Sequence, residues 1–460
     1  MRQNLALLCD FYEFTMSAGY FSSGFEDKIC YFDVFFRKVP DGGAFAIFAG
    51  LEDILDFVES LRFEGEDIDF LRKQGIFSED FLKFLSDFKF NGEIHALREG
   101  EVIFPNEPLI SIKASAIEAQ LLETFLLLSI NHQSLIATKA NRITRAAAGR
   151  PVLEFGARRA HGSEAALKGA RSALIGGCAA TSNTLAAKLY AAKASGTMAH
   201  SWVQMFGDEF SAFCAYLKLY PKNPILLIDT YDCLAGLENA MRAFREFGIK
   251  EAGVRIDSGD LKTLSIKIRK RLDEEGFEAC KIIASNGLDE FEIHRLLEQG
   301  AKIDAFGVGE RLITASSDAV FGCVYKLVAS EQDGTITPKI KISENSTKTT
   351  IPHFKRLFRI YDRNSGKALY DELIIHDEPL DELDANLRRE ELLRPVFKDG
   401  KRQLERPSLE ELRDFSKGRV ASLDEGLLDL KPSKSYELVL SERLKALRDE
   451  LTSRHVKIRS

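Results

Sequence analysis

The sequence predicts an α/β chain of two or more domains, one of them a (β/α)8-type barrel, and three observations carry that prediction. Its 460 residues exceed the size at which one hydrophobic core stops growing. From about residue 151, short apolar strands alternate with polar or glycine-bearing loops and helical stretches. Polar residues recur at the carboxyl ends of those strands, where a barrel keeps its active site.

Residues 1–145 have an α+β pattern and form the first predicted domain. "KICYFDVFFRKVP" alternates as a strand, "AIFAGLEDILDFVESL" has helical spacing, and "EVIFPNEPLISIKA" suggests two short strands about a Pro-Asn turn. "IEAQLLETFLLLSINHQSLIATKANRITRAAAG" then predicts a long helix or a helix pair ending at Gly149. The second domain, 146–330, holds eight strand candidates, "PVLEFG", "ALIGGCAA", "GTMAH", "PILLIDT", "AGVRIDS", "KIIASN", "IDAFGVG" and "GCVYKLV", of which the poorly patterned second and third read equally as loops. In 331–460, "KRLFRIYDRNSGKALYDELIIHD" predicts a hairpin about Asn364, Ser365 and Gly366. "PSLEELRDFSKGRVASLDEGLLDL" and "SERLKALRDELTSRH" predict amphipathic surface helices.

With 45% hydrophobic and 29% charged residues and a net charge of −7, the composition is that of a soluble globular protein without a nucleic-acid footprint. Seven scattered cysteines without a CxxC pair fit a reducing, cytoplasmic setting. "MRQNLALLCDFYEF" lacks the basic and long apolar regions of a signal peptide, and the apolar run "LLETFLLLSI" is interrupted by Glu123 and too short for a membrane span.

Several stretches could carry chemistry. "ASNGLDE" and "FGVGERL" place Gly287, Gly307 and Gly309 at strand-to-helix turns, where backbone amides receive anions, and together they favour a phosphorylated ligand. "LLIDTYD" and "VRIDSGDL" put Asp229, Asp232, Asp257 and Asp260 at two strand ends, suited to Mg2+ or ribose hydroxyls, the alternative being helix N-capping by Asp257, Ser258 or Asp229. "EFGARRAHG" supplies Phe155, Arg158, Arg159 and His161, which could receive a flat anionic ring or be a surface pair beside a core aromatic. Arg255 lies inside the apolar "AGVRIDS", and a buried strand does not accept a charge without a partner. No HExxH, nucleophile elbow, Walker A or Rossmann fingerprint occurs.

Taken in order, "LLCDFYEFTM", "YFDVFFRKVPDGGAFAIFAGLED", "QSLIATKANR", "EFGARRAHG", "SGTMAHSW", "LIDTYD", "VRIDSGDL", "FGVGERLIT" and "VYKL" resemble the nicotinate phosphoribosyltransferases from about residue 5 to 380. The resemblance implies an irregular α/β barrel with an α/β sandwich domain built from N-terminal and later segments. It implies formation of nicotinate mononucleotide and pyrophosphate from nicotinate and phosphoribosyl pyrophosphate, with Mg2+ and coupled ATP hydrolysis, on the route to NAD.

Residue by residue, the resemblance makes His200 in "SGTMAHSW" a histidine phosphorylated by ATP, and Asp229 and Asp257 the ligands of ribose hydroxyls or Mg2+. Phe155 and Tyr12 would sandwich the pyridine ring, with Tyr12 supplied by the other subunit of a homodimer and Arg158 and Arg255 as ligand-binding arginines. Ser182 stands where nicotinamide-using relatives carry an Asp, which favours the acid over the amide. Gly287, Gly307 and Gly309 would take the 5′-phosphate; Lys139 and Arg142 are either pyrophosphate contacts or solvated helix charges. Departures from the family pattern are Glu310 for Thr or Ser, awkward beside a phosphate unless Arg311 pairs with it, His161 for Gln, and Cys9 for Thr. The competing readings are a nicotinamide- or quinolinate-using enzyme of the same type and a catalytically silent phosphosugar- or nucleotide-binding barrel.

Overall fold

The computed structural model describes residues 4–342 and 349–457; residues 1–3, 343–348 and 458–460, which fall within the predicted domain ranges, lie outside the described residues. The chain divides into two compact units, Met1–Leu135 with Val320–Pro407 and Asp414–Ser460, and Ile136–Ala319 with Ser408–Arg413.

The first unit is built on a seven-stranded sheet whose order is Thr335–Pro338, Val324–Gln332, Ile29–Phe35, Ile110–Ser115, Glu93–Ala96, Arg394–Lys398 and Lys401–Arg402. Its pairings are antiparallel. Ile29–Phe35 is central and buried on both faces, so Asp33 within it needs partners. Lys355 Nζ at 2.7 Å and the Ser111 hydroxyl at 2.6 Å supply them. A second sheet of four strands contains the predicted hairpin, Lys355–Asp362 with Ala368–Ile375. The two strands predicted from "EVIFPNEPLISIKA" exist but do not pair with each other: Val102–Ile103 joins Ala46–Ile47, whereas Ile110–Ser115 enters the large sheet. The predicted long helix is a pair, Ala116–Gln120 and Glu123–Ala146.

The second unit holds a parallel sheet of six strands, in the order Ala180–Thr181, Val152–Glu154, Ala305–Val308, Lys281–Ser285, Gly253–Ile256 and Ile225–Leu227. Their residues are mostly apolar and buried, as strands covered by helices require, with Glu154 and Arg255 as charged exceptions. The expectation of eight barrel strands is corrected at three places. "ALIGGCAA" begins as the last three residues of the helix Ser163–Ile175 and continues as a turn, and only its final residue, Ala180, enters the two-residue strand Ala180–Thr181. "GTMAH" forms no strand; its neighbour Ala194 makes one parallel bridge to Thr181. "GCVYKLV" lies in Val324–Gln332, which pairs antiparallel with Ile29–Phe35 in the other unit. The sheet is therefore a half-barrel, open between Ala180–Thr181 and Ile225–Leu227 among the described residues.

Candidate functional site

Parallel strands send all their carboxyl ends to one side of the sheet, and in the second unit that side gathers most of the residues singled out from sequence. Phe155 directly follows Val152–Glu154; its N–H donates to the Val308 carbonyl at 2.8 Å. A Cβ on Gly307 would lie 2.6 Å from the Phe155 ring, so the missing side chain of Gly307 makes room for that ring. Arg158 is exposed in the turn Ala157–Arg159. Ser182 follows the edge strand Ala180–Thr181, with its N–H on the Glu154 carbonyl at 2.8 Å.

Arg255 donates to the Met198 carbonyl at 2.8 Å, which ties the "SGTMAHSW" segment to a neighbouring strand. Its Nε is buried and has no protein partner. Burial holds the guanidinium below its usual range, Asp257 and Asp229 oppose that shift, and the charge of Arg158 adds to it. Thr197 Oγ1, in the same segment, is also buried and unpartnered.

His200 is the first residue of the short helix His200–Gln204, with Nδ1 3.2 Å from Thr230 Oγ1. Trp202 anchors the helix through Nε1 on the Ala212 carbonyl at 3.1 Å and an edge contact with Tyr216. The carboxylate of Asp229 accepts from the Asp257 N–H at 2.8 Å and the Ser258 hydroxyl at 2.6 Å through Oδ2. Its Oδ1 is buried without a protein partner. Asp257 accepts from the Ser285 hydroxyl. Asp232 and Asp260 instead cap the helices Cys233–Glu246 and Leu261–Glu274. Capping thus falls to Asp232 and Asp260 and not, as the alternative reading had it, to Asp257, Ser258 or Asp229, which bond across strand ends instead.

Asn286 and Gly287 have consecutive positive φ values of 78° and 65°, a sharp turn after Lys281–Ser285 that favours glycine at its second residue. Gly309 precedes the single turn Glu310–Ile313. Arg311 pairs with Asp289 and not with Glu310, whose neighbouring cation is Arg159 at 3.7 Å. Lys139 and Arg142 are not solvated: both are buried, with Lys139 Nζ at 2.7 Å and Arg142 Nε at 2.9 Å from Glu290, and Lys139 also donates to Ser317. Tyr12 lies in the first unit on the helix Phe11–Ser22, 43% exposed, its phenol pushed upward by burial and by Glu123. The Cys9 thiol is pushed up to about 12 by burial, and His161 is exposed.

Reasoning from sequence missed Glu154, Thr181, Thr230 and Ser285, which hold the other side chains in place. For Glu154 the signal was present: a charge inside an apolar strand, as with Arg255. Among the described residues no cluster of three His, Cys, Asp or Glu side chains forms a metal cage, and no helix is long and apolar enough to cross a membrane.

Comparison with known proteins agrees along the chain. Residues 7–131 match the nicotinate phosphoribosyltransferase N-terminal domain, 151–400 the nicotinate phosphoribosyltransferase family, and 354–448 its C-terminal domain. A nicotinate phosphoribosyltransferase of Bacillus subtilis is 39% identical over 95% of this chain and 93% of its own, and one of Mycobacterium tuberculosis 41% over 96% and 93%. The crystal structure of human nicotinic acid phosphoribosyltransferase superposes with a TM-score of 0.83 at 29% identity, covering 97% of this chain and all of the human one. From the fold, the site and these likenesses together, the chain belongs to the nicotinate phosphoribosyltransferase family.

Proposed function

We propose that the chain joins nicotinate to phosphoribosyl pyrophosphate, releasing nicotinate mononucleotide and pyrophosphate, in the synthesis of NAD. The observation that carries this reading is the pair Arg158 and Arg255 at the strand ends, with a buried, unpartnered Nε on Arg255 and a hydroxyl rather than a carboxylate at Ser182. Two guanidiniums suit the single carboxylate of nicotinate, and Ser182 does not repel it. Phe155 offers one face to the ring. Tyr12 of a second subunit covers the other, so the working enzyme is a homodimer.

The ribose hydroxyls fall to Asp257 and Asp229, and the 5′-phosphate to backbone amides at Gly287 and Gly309; Gly307 contributes the seat of Phe155. Asp229 Oδ1, buried and without a partner, is the oxygen that would hold Mg2+. Bound there, Mg2+ supplies charge neutralisation for the leaving pyrophosphate. The protein holds the ring nitrogen in line with ribose C1, whose bond to pyrophosphate breaks through an oxocarbenium-like state as the bond to nitrogen forms.

ATP coupling is assigned to His200. In the tautomer whose Nδ1–H donates to Thr230 Oγ1, the Nε2 lone pair is the nucleophile: it bonds to the γ-phosphorus of ATP as ADP leaves, and water later releases phosphate and restores the imidazole. Lys139 and Arg142 serve as the buried cationic support of this end of the sheet, braced on Glu290, rather than as mobile surface charges.

The test is product analysis with phosphoribosyl pyrophosphate, Mg2+ and each of nicotinate, nicotinamide and quinolinate, with and without ATP. Mononucleotide and pyrophosphate from nicotinate, stimulated by ATP except in His200→Ala, are expected. Turnover of another base in preference, or of none, overturns the proposal.

A further inference from the structure

The buried carboxylate of Glu154 uses both of its oxygens. Oε1 accepts the Gly156 N–H and Oε2 the Thr181 hydroxyl. The Glu154 carbonyl accepts the Ser182 N–H. Thr181 in turn takes the Asn183 N–H on its hydroxyl oxygen at 2.9 Å, donates its own N–H to the Lys193 carbonyl at 3.1 Å, and accepts the Ser195 N–H at 2.9 Å. From Ser195 the chain runs to the Met198 carbonyl, which holds Arg255, and to His200.

Both side-chain partners of Glu154 are donors, which matches an acceptor-only carboxylate. Burial nonetheless raises its pKa, and the two donors pull the other way. An aspartate is one methylene short of spanning both donors, and a glutamine turns an amide N–H2 toward one of them. Space is equally limited: a Cβ at Gly156 would lie 2.5 Å from Ile313 and 2.9 Å from Glu154 Oε1. The turn bearing Arg158 can therefore follow only one path over the Glu154 carboxylate.

We infer that Glu154 and Thr181 form a positioning latch that sets the loop Phe155–Arg158, Ser182 and the segment Ser195–His200 relative to one another, and thereby the geometry of the pyridine-binding site. The role assigned to that site rests on the function proposed above; the latch itself rests on the hydrogen bonds just described.

Thr181→Val, in the full-length chain, keeps the β-branched shape but removes the hydroxyl, leaving one buried carboxylate oxygen without its donor; Thr181→Ser restores it. Steady-state kinetics and amide hydrogen exchange are measured on both and on the unaltered chain. In Thr181→Val the KM for nicotinate rises about tenfold, as for a buried hydrogen bond lost at a binding site, while kcat changes less. Exchange quickens in 155–159 and 193–200, and Thr181→Ser returns both readouts to those of the unaltered chain. Unchanged exchange overturns the latch, and so does a uniform fall in kcat with KM unmoved, or a serine that fails to rescue. Absence of nicotinate turnover in the unaltered chain overturns the proposed function instead, and the exchange comparison then decides the latch by itself.

Discussion

Gly307→Ala is the sharpest perturbation available, because it adds one methyl group at a place where the structure leaves no room. The new Cβ would stand 2.6 and 2.7 Å from Cδ2 and Cε2 of Phe155 and 3.3 Å from Ser285 Cβ, so it cannot lean away from the ring. Carbon atoms in ordinary contact sit at about 3.5–4.0 Å, so the ring must withdraw by about 1 Å. Keeping it in place would cost about 1–3 kcal/mol of overpacking. Phe155 is only partly buried, so moving the ring is the cheaper response. A misplacement of that size at a reacting ligand costs about 100-fold in rate. The assay is kcat/KM for nicotinate beside a urea unfolding curve. A fall of about 30- to 100-fold with an unfolding free energy within about 1 kcal/mol of the unaltered chain is expected. Undiminished kcat/KM would refute the placement of the pyridine ring on Phe155.

Other consequences concern charge. Glu290→Ala leaves Lys139 and Arg142 buried without their shared carboxylate and is expected to lower stability by about 3–5 kcal/mol in urea unfolding. Burial raises the Glu13 carboxyl from 4.5 to about 7 against the hydrogen bonds of Thr124 and Asp10. Since the folded state holds this proton more tightly than the unfolded state, the associated stability is present below pH 4.5 and is lost as pH rises through 7; the loss is on the order of 1–3 kcal/mol. Glu13→Gln should flatten that part of the stability profile, and an identical slope in the variant would assign it elsewhere. Asp229→Asn can keep one acceptor oxygen for the Asp257 N–H and the Ser258 hydroxyl but puts a neutral amide N–H2 in place of the anionic Oδ1, so the Mg2+ concentration giving half-maximal rate should rise about tenfold or more.

Five of the six parallel strands were legible in the sequence because a strand covered on both faces writes itself as a largely apolar run ending in polar residues, as "ILLIDT" does. The sixth, Ala180–Thr181, is too short for periodicity to register, and the segment proposed for it is taken up by the end of the helix Ser163–Ile175 and the turn that follows. "GCVYKLV" was legible as a strand but not as to its sheet, since its partner Ile29–Phe35 lies about three hundred residues away along the chain. At the site, side chains on strand ends were found by type and place, including Arg255, Asp229 and Asp257. The groups that orient them, Glu154, Thr181 and Thr230, were not. Their roles depend on which strands adjoin, and strand order is a tertiary fact.

The central claim is that Arg158 and Arg255 recognise the carboxylate of the base. Its most direct test is the ratio of kcat/KM for nicotinate to that for nicotinamide, in the unaltered chain and in Arg255→Gln. The account predicts a large ratio that falls by about 10- to 100-fold in the variant, because a charge-assisted bond to the carboxylate is lost and the amide loses far less. Equal losses for both bases, or a ratio near one in the unaltered chain, would contradict it.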